Sequence, residues 1–124
     1  MNLSAGDRAM LSRINAAINT LRTIYLDMTV TQAVVILTVA YRPGVAQSDI
    51  VNLTGLSEAS VSRIVAITGS KGDRGAGPFQ LLEARVSPRD NRARELHLTP
   101  KGGIVMAAIL REFTGVTYDR PPKD

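Results

Sequence analysis

A chain of 124 residues has material for one hydrophobic core and little for a second. It contains no cysteine, which excludes disulfides, thiolate metal sites and cysteine redox chemistry, and its one histidine leaves a zinc or general-base site without partners. Fifteen Lys and Arg stand against eleven Asp and Glu, a formal charge of +4 that suits a polyanionic partner without demanding one. No apolar run approaches the ~20 residues that span a bilayer, and the amino terminus, MNLSAGDRAM, lacks the charged-then-apolar order of a signal peptide. These features predict a soluble cytoplasmic protein with no membrane contact, no metal, no cofactor and no enzymatic site.

Leu11, Ile14, Ile18, Leu21, Tyr25 and Met28 recur at spacings of three and four, one apolar stripe on a first helix over about residues 7–28. The stripe must be covered, either by the protein's own core or by a subunit seam of coiled-coil type. Thr29 and Gln32 have the spacing of a capping box, so a second helix begins near Val30. It carries Ala33, Val34, Ile36, Leu37, Val39 and Ala40, reads as buried, and stops at Arg42 because Pro43 and Gly44 cannot continue it.

AQSDIVNLTGLSEASVSRIV (residues 46–65) reads as two helices joined by a tight glycine turn. The first presents Ile50, Val51 and Leu53 inward and ends at Gly55, whose access to positive φ permits the reversal. Ser57 caps the second, with Glu58 at the positive end of the helix dipole. Val61, Ile64, Val65 and Thr68 line one face of it, whereas Ala59, Ser60, Ser62, Arg63 and Ala66 line the other, small and hydrogen-bonding residues around one arginine. A solvated helix is normally covered by Lys and Glu; small residues let a backbone approach a groove floor.

Residues 69–80, GSKGDRGAGPFQ, contain four glycines and a proline without apolar period, which predicts a mobile loop. The segment lacks the Lys and Ser/Thr of a nucleotide-cradling loop. Leu82, Ala84 and Val86 alternate, as do Leu96 and Leu98, so two strands flank the turn PRDN. His97 alternates with inward leucines and is expected on the strand surface. Thr99 and Pro100 then supply the cap and first residue of a final helix over residues 100–114, which buries Ile104, Val105, Ala108, Ile109 and Phe113. The tail, residues 117–124, reads as flexible.

The hairpin holds most of the charge. Residues 85–101 carry five basic side chains (Arg85, Arg89, Arg92, Arg94, Lys101) against Asp90 and Glu95, so +3 of the total lies there. A helix-turn-helix over residues 46–68 followed by an arginine-rich hairpin over 81–99 is the layout of a DNA reader, in which the second helix fits a major groove and the hairpin reaches the backbone and minor groove beside it.

Helix, buried helix, helix-turn-helix, a hairpin with Asp90, Asn91 and Arg92, and then Leu98, Thr99, Lys101 and Gly102 resemble the MarR family of winged-helix transcriptional regulators. The likeness covers about residues 11–110. It implies an α+β, mainly helical fold, a winged helix-turn-helix with a two-stranded wing and N- and C-terminal helices, in one domain over residues 1–116. It implies a sequence-specific double-stranded DNA-binding regulator, a repressor, dimerising through its terminal helices. Arg92 is then the wing-tip arginine, flanked by Arg89 and Arg94, and Asp90 orients the wing through an ion pair. Ala59, Ser60 and Arg63 face bases and phosphates, with Ser57 and Ser62 as phosphate donors. The glycine-rich loop departs from the family pattern, and the short stretch after the last helix implies a reduced or altered dimer interface. Small aromatic effectors bind many relatives; the residues leave that site open. Two other functions fit the same layout: a winged helix used as a protein-interaction or assembly module, and a DNA-binding accessory factor of replication or of a mobile element.

Overall fold

The computed structural model describes residues 1–24, 26–69, 79–90 and 94–114. Five helices and one hairpin follow in the order α1 (Ala5–Ile24), α2 (Val30–Tyr41), α3 (Gln47–Thr54), α4 (Glu58–Thr68), β1 (Leu82–Val86), β2 (Arg94–Leu98) and α5 (Pro100–Thr114). This is the fold class expected, a mainly helical α+β chain with a two-stranded antiparallel hairpin and a helix at either end.

Local hydrogen bonding explains where the helices begin. At α1 the Ser4 N–H donates to Asp7 Oδ2 and the Asp7 N–H donates to Ser4 Oγ, both at 3.0 Å, a reciprocal pair that the sequence reading did not use. Thr29 and Gln32 form the expected box at α2, with Gln32 N–H to Thr29 Oγ1 at 3.0 Å and Thr29 N–H to Gln32 Oε1 at 2.9 Å. Ala46 precedes α3 without a side-chain acceptor, and Asp49 accepts from its N–H at 3.3 Å. Gly55 closes α3 at φ 76°, its N–H bonded to the Val51 carbonyl at 2.9 Å.

The core gathers α2, α3, α4, the base of the hairpin and one face of α5 around Val35, Ile36, Val39, Ile50, Val61, Leu82 and Leu96, all essentially inaccessible to water. α1 packs chiefly along α5. The strands pair in register Leu82 with Leu98, Ala84 with Leu96 and Val86 with Arg94. A further rung joins Val45, in the corner between α2 and α3, to Leu96: Gly44 N–H donates to the Leu96 carbonyl at 2.8 Å and Leu96 N–H to the Val45 carbonyl at 2.9 Å.

Several expectations are corrected. α1 ends at Ile24, so Met28 lies beyond the helix and packs on the core from the connecting segment, while Tyr25 falls outside the described residues. Among the described residues of the stripe only Leu21 is buried; Leu11 and Ile18 remain 50% and 60% exposed. α2 is buried on one face only: Val35, Ile36, Thr38 and Val39 point inward, but Val30, Val34, Leu37 and Tyr41 form an exposed apolar row. In α3 the inward face follows Ile50, Val51 and Thr54, which leaves Leu53 turned outward beyond its edge. α5 is anchored by Gly102, Val105, Met106 and Ile109, and that register points Ile104 into solvent. Along β1 only Leu82 is buried, because the hairpin runs out past the core and leaves Ala84 and Val86 exposed.

The glycine-rich segment is tied at both described ends. Gly69 bridges to Leu82, the Phe79 N–H reaches the Ile67 carbonyl at 3.3 Å, and the Leu81 N–H donates to the Thr68 carbonyl at 2.7 Å. Phe79, read as part of the loop, is instead a buried core residue. Residues 70–78 lie outside the described residues, as does the tail from 115 to 124.

Candidate nucleic-acid interface

Helix α4 turns Val61, Ile64 and Thr68 into the core, and this fixes what the other side shows. Ala59, Ser62, Arg63 and Ala66 are exposed, and Ser60 is half-buried. Burial of one face thus leaves a face of small side chains with one guanidinium, low enough for the helix backbone to lie close to a flat-bottomed groove. Ser57 Oγ accepts from the Ser60 N–H at 3.1 Å and donates to Ser60 Oγ at 3.0 Å. Capping therefore couples the two serines: their hydroxyls share one hydrogen bond, and one hydroxyl proton of the pair is left to give outward. Thr68 Oγ1 donates to the Ile64 carbonyl at 2.7 Å, closing the last turn where it is buried.

The hairpin stands beside this helix through covalent and hydrogen-bonded proximity, since the C-terminal end of α4 is bonded to the start of β1 by the Gly69–Leu82 and Thr68–Leu81 contacts. At its outer end Pro88, Arg89, Asp90 and Arg94 are exposed, and the Arg89 N–H donates to the buried Ser87 Oγ at 3.2 Å. Arg92, with Asn91 and Ala93, lies outside the described residues. Arg85 is committed on the strand itself: its guanidinium meets Glu83 Oε1 through Nη2 at 2.5 Å and Nε at 3.2 Å.

Thr99 joins the hairpin to α5. Its N–H donates to the Leu81 carbonyl at 2.9 Å, its hydroxyl donates to the Gln80 carbonyl at 2.8 Å, and the same oxygen accepts from Gly102 N–H at 3.0 Å. One side chain thus caps α5 and closes the base of the hairpin. The role as cap was legible in the sequence; the bonds to Gln80 and Leu81, 19 and 18 positions away, were not.

His97 is not on the strand surface. Its side chain is 14% exposed, because the corner of residues 42–45 folds over β2 through the Val45–Leu96 rung. Nε2 lies 3.5 Å from Glu95 Oε1, and Nδ1 is buried with no hydrogen-bond partner. The imidazole forms part of the wall of a cavity of about 620 Å³ between α2, β2 and α5, lined also by Leu37, Ala40, Tyr41, Met106 and Leu110. Among the described residues no Asp, Glu, Lys or Arg lines it. Among the described residues no group of three His, Asp or Glu converges as a metal site, and no helix is long and apolar enough to cross a membrane.

Two helices at a glycine corner, the second with an outward face of small side chains, and an antiparallel hairpin fastened to its end define a winged helix-turn-helix. No protein-family model and no curated protein matches the sequence; the likeness to known proteins is structural. The chain superposes on a point mutant of MepR from S. aureus, solved bound to an oligodeoxyribonucleotide, with a TM-score of 0.63 and 21% identity over 83% of this chain and 69% of that one. It matches the transcriptional repressor CouR, bound to a 23-mer DNA duplex, with a TM-score of 0.55 and 27% identity over 87% of this chain and 69% of the other. PcaV of Streptomyces coelicolor, in complex with its natural ligand, gives 0.51 and 22% over 93% and 84%. The fold is the one that these MarR-family transcriptional regulators share.

Proposed function

We infer that this protein is a double-stranded DNA-binding transcriptional regulator, a repressor working in the cytoplasm, with no catalytic step of its own. The observation that carries the reading is the outer face of α4: it is exposed, bears one acidic residue, Glu58, in its first turn but otherwise none of the Glu and Lys cover of an ordinary surface helix, and is fastened at its end to an arginine-bearing hairpin. Placed in a major groove, Arg63 reaches a guanine edge or a phosphate, Ala59 allows close approach, and Ser60 and Ser62 suit phosphate oxygens. Ser57, whose hydroxyl is bonded to that of Ser60, belongs to the same phosphate-donating end of the helix. Arg89, Arg92 and Arg94 supply positive charge to the backbone and minor groove, with Asp90 orienting the tip.

The functional unit in this reading is a symmetric homodimer. Met10, Leu11, Ile14 and Ile18 leave the outer side of α1 apolar and open, and Ile104 and Leu110 do the same on α5, against which α1 packs. Such a face is costly in water and fits a second copy. Control by a small effector belongs to the same reading, supported by the cavity between α2, β2 and α5.

The test is selection of bound fragments from a genomic duplex library by the purified protein, followed by titration at several salt concentrations. An enriched inverted repeat, with half-sites about one helical turn (~34 Å) apart and affinity falling steeply with salt, is the expected result. Absence of duplex binding would replace this reading with that of a protein-interaction module.

A further inference from the structure

Glu58 is the one carboxylate of α4, exposed in the first turn of the helix, and among the described residues no ion pair or side-chain hydrogen bond holds it. The carboxylates around it are engaged: Asp49 accepts from the Ala46 N–H, Glu83 holds Arg85, and Glu95 lies against His97. Glu58, Ser62 and Ala66 follow one another at intervals of four, as do Ala59 and Arg63, so these side chains share the face turned away from Val61, Ile64 and Thr68. Ala59, Ser62 and Ala66 are short, which leaves Glu58 and Arg63 as the two that reach far from the helix. In the free protein a carboxylate here complements the helix dipole. In the groove of a polyanion the same charge is repelled by the phosphates on either side, and a helix with nothing for it to accept would bind better without it.

We propose that Glu58 is a specificity-determining residue of the α4 face, accepting a hydrogen bond from the exocyclic amine of a cytosine in the major groove; the assignment rests on the DNA-binding reading above. Residues at the start of a recognition helix are the ones that meet base edges, and cytosine presents there an N4 donor. Guanine and thymine show only acceptors and a methyl group. Adenine also presents an amine, but beside N7, an acceptor that a carboxylate would face with no proton to offer. Arg63 stands five positions on, about 7.5 Å along the helix axis, or about two base-pair steps. Its fork suits guanine, so each half-site is expected to hold a cytosine and a guanine within about three base pairs. Glu58 thus selects by exclusion: it lowers affinity for every duplex and restores it only where the amine is present.

Fluorescence anisotropy tests this with the wild type, Glu58→Ala and Glu58→Gln, on the duplex obtained by selection and on one of random sequence. The wild type is expected to lose about 5- to 150-fold in affinity when one C·G pair per half-site becomes T·A. N4-methylcytosine at the same position, which keeps its pairing proton and turns the methyl group into the major groove, should cost it a similar factor. Glu58→Ala should level both losses to within about twofold, bind the random duplex more tightly than the wild type does, and keep full discrimination at the guanine read by Arg63. Glu58→Gln, which donates as well as accepts, should admit adenine at the cytosine position. A role confined to the helix dipole predicts instead a lower urea midpoint for Glu58→Ala and the same change in affinity on all duplexes, and that result would overturn the assignment. Selective duplex binding that Glu58→Ala leaves unaltered at every position removes this inference alone, whereas a wild type that binds no duplex removes the DNA-binding reading and this one with it.

Discussion

Gly102 lies directly against the carbonyl of Leu81: a Cβ built on the glycine would collide with that oxygen and sit 3.3 Å from Leu98 Cβ. Helix α5 therefore approaches the start of β1 at a distance that only a hydrogen side chain permits. The same carbonyl accepts from Thr99 N–H, so the contact cannot widen without breaking that bond. Gly102→Ala is expected to destabilise the fold by about 3 kcal/mol, the upper part of the range for overpacking. Urea denaturation followed by circular dichroism measures it, as a lowered midpoint with unchanged slope. An unchanged midpoint would mean that α5 shifts freely on the hairpin.

Caps were legible in the sequence because each is settled within four residues: Thr29 with Gln32, Gly55 at its turn, Ser57 with Ser60, Thr99 with Gly102. The helix-turn-helix and the hairpin follow from such punctuation, and with them the small-residue outer face of α4. Contacts between distant segments were not legible. Nothing near Val45 announces a rung to Leu96, nothing near Phe79 announces its burial, and Ile104 looks inward until the close approach of Gly102 fixes the rotation of α5. His97 was misplaced for the same reason, since the segment that covers it comes from more than fifty positions earlier in the chain.

The two halves of the proposed DNA contact should fail differently. Arg63→Ala is expected to cost about 1 to 3 kcal/mol of duplex affinity, concentrated at one base pair per half-site, if its fork meets a base edge. Arg92→Ala is expected to weaken binding across sequences, lower the salt slope by about one unit and relax preference at flanking A·T-rich positions. Fluorescence anisotropy over a panel of single-substituted duplexes at several salt concentrations distinguishes them. Full affinity in both variants on every duplex would remove these residues from the interface.

Asp7 carries a pH dependence of known sign. Hydrogen bonds from Ser4, first its backbone N–H and then its hydroxyl, hold the Asp7 carboxyl below its ordinary value. A depressed carboxylate stabilises the folded form above its unfolded pKa and loses that contribution as pH falls through the lowered folded value. The first turn of α1 should therefore stay protected at about pH 5 and fray well below about pH 4, the ordinary aspartate range. Carboxyl-detected NMR titration reads the group directly, and Ser4→Ala should raise the Asp7 value toward that of an unstructured aspartate. A titration curve insensitive to Ser4 would discount the cap.

Association through α1 should be severed without harm to the monomer's core. Ile18 is 60% exposed, so Ile18→Glu places its charge at the proposed seam and leaves Leu21 and the interior untouched. Sedimentation equilibrium at micromolar concentration is expected to show a dimer for the wild type and a monomer for the variant, with unchanged helicity. A wild type that is monomeric with and without duplex DNA would count against the dimer.

Val45 and Gly44 grip Leu96 by two short hydrogen bonds, and the end of α4 grips the start of β1 by another. The corner that launches the helix pair and the hairpin that follows it are thus clamped at both strands. In the proposed complex this makes the two readers a fixed caliper: the protein cannot trade a shorter reach in one groove for a longer reach in the next. Spacing along the duplex then becomes as much a recognised quantity as the bases themselves, and a site with correct bases at the wrong interval would be refused.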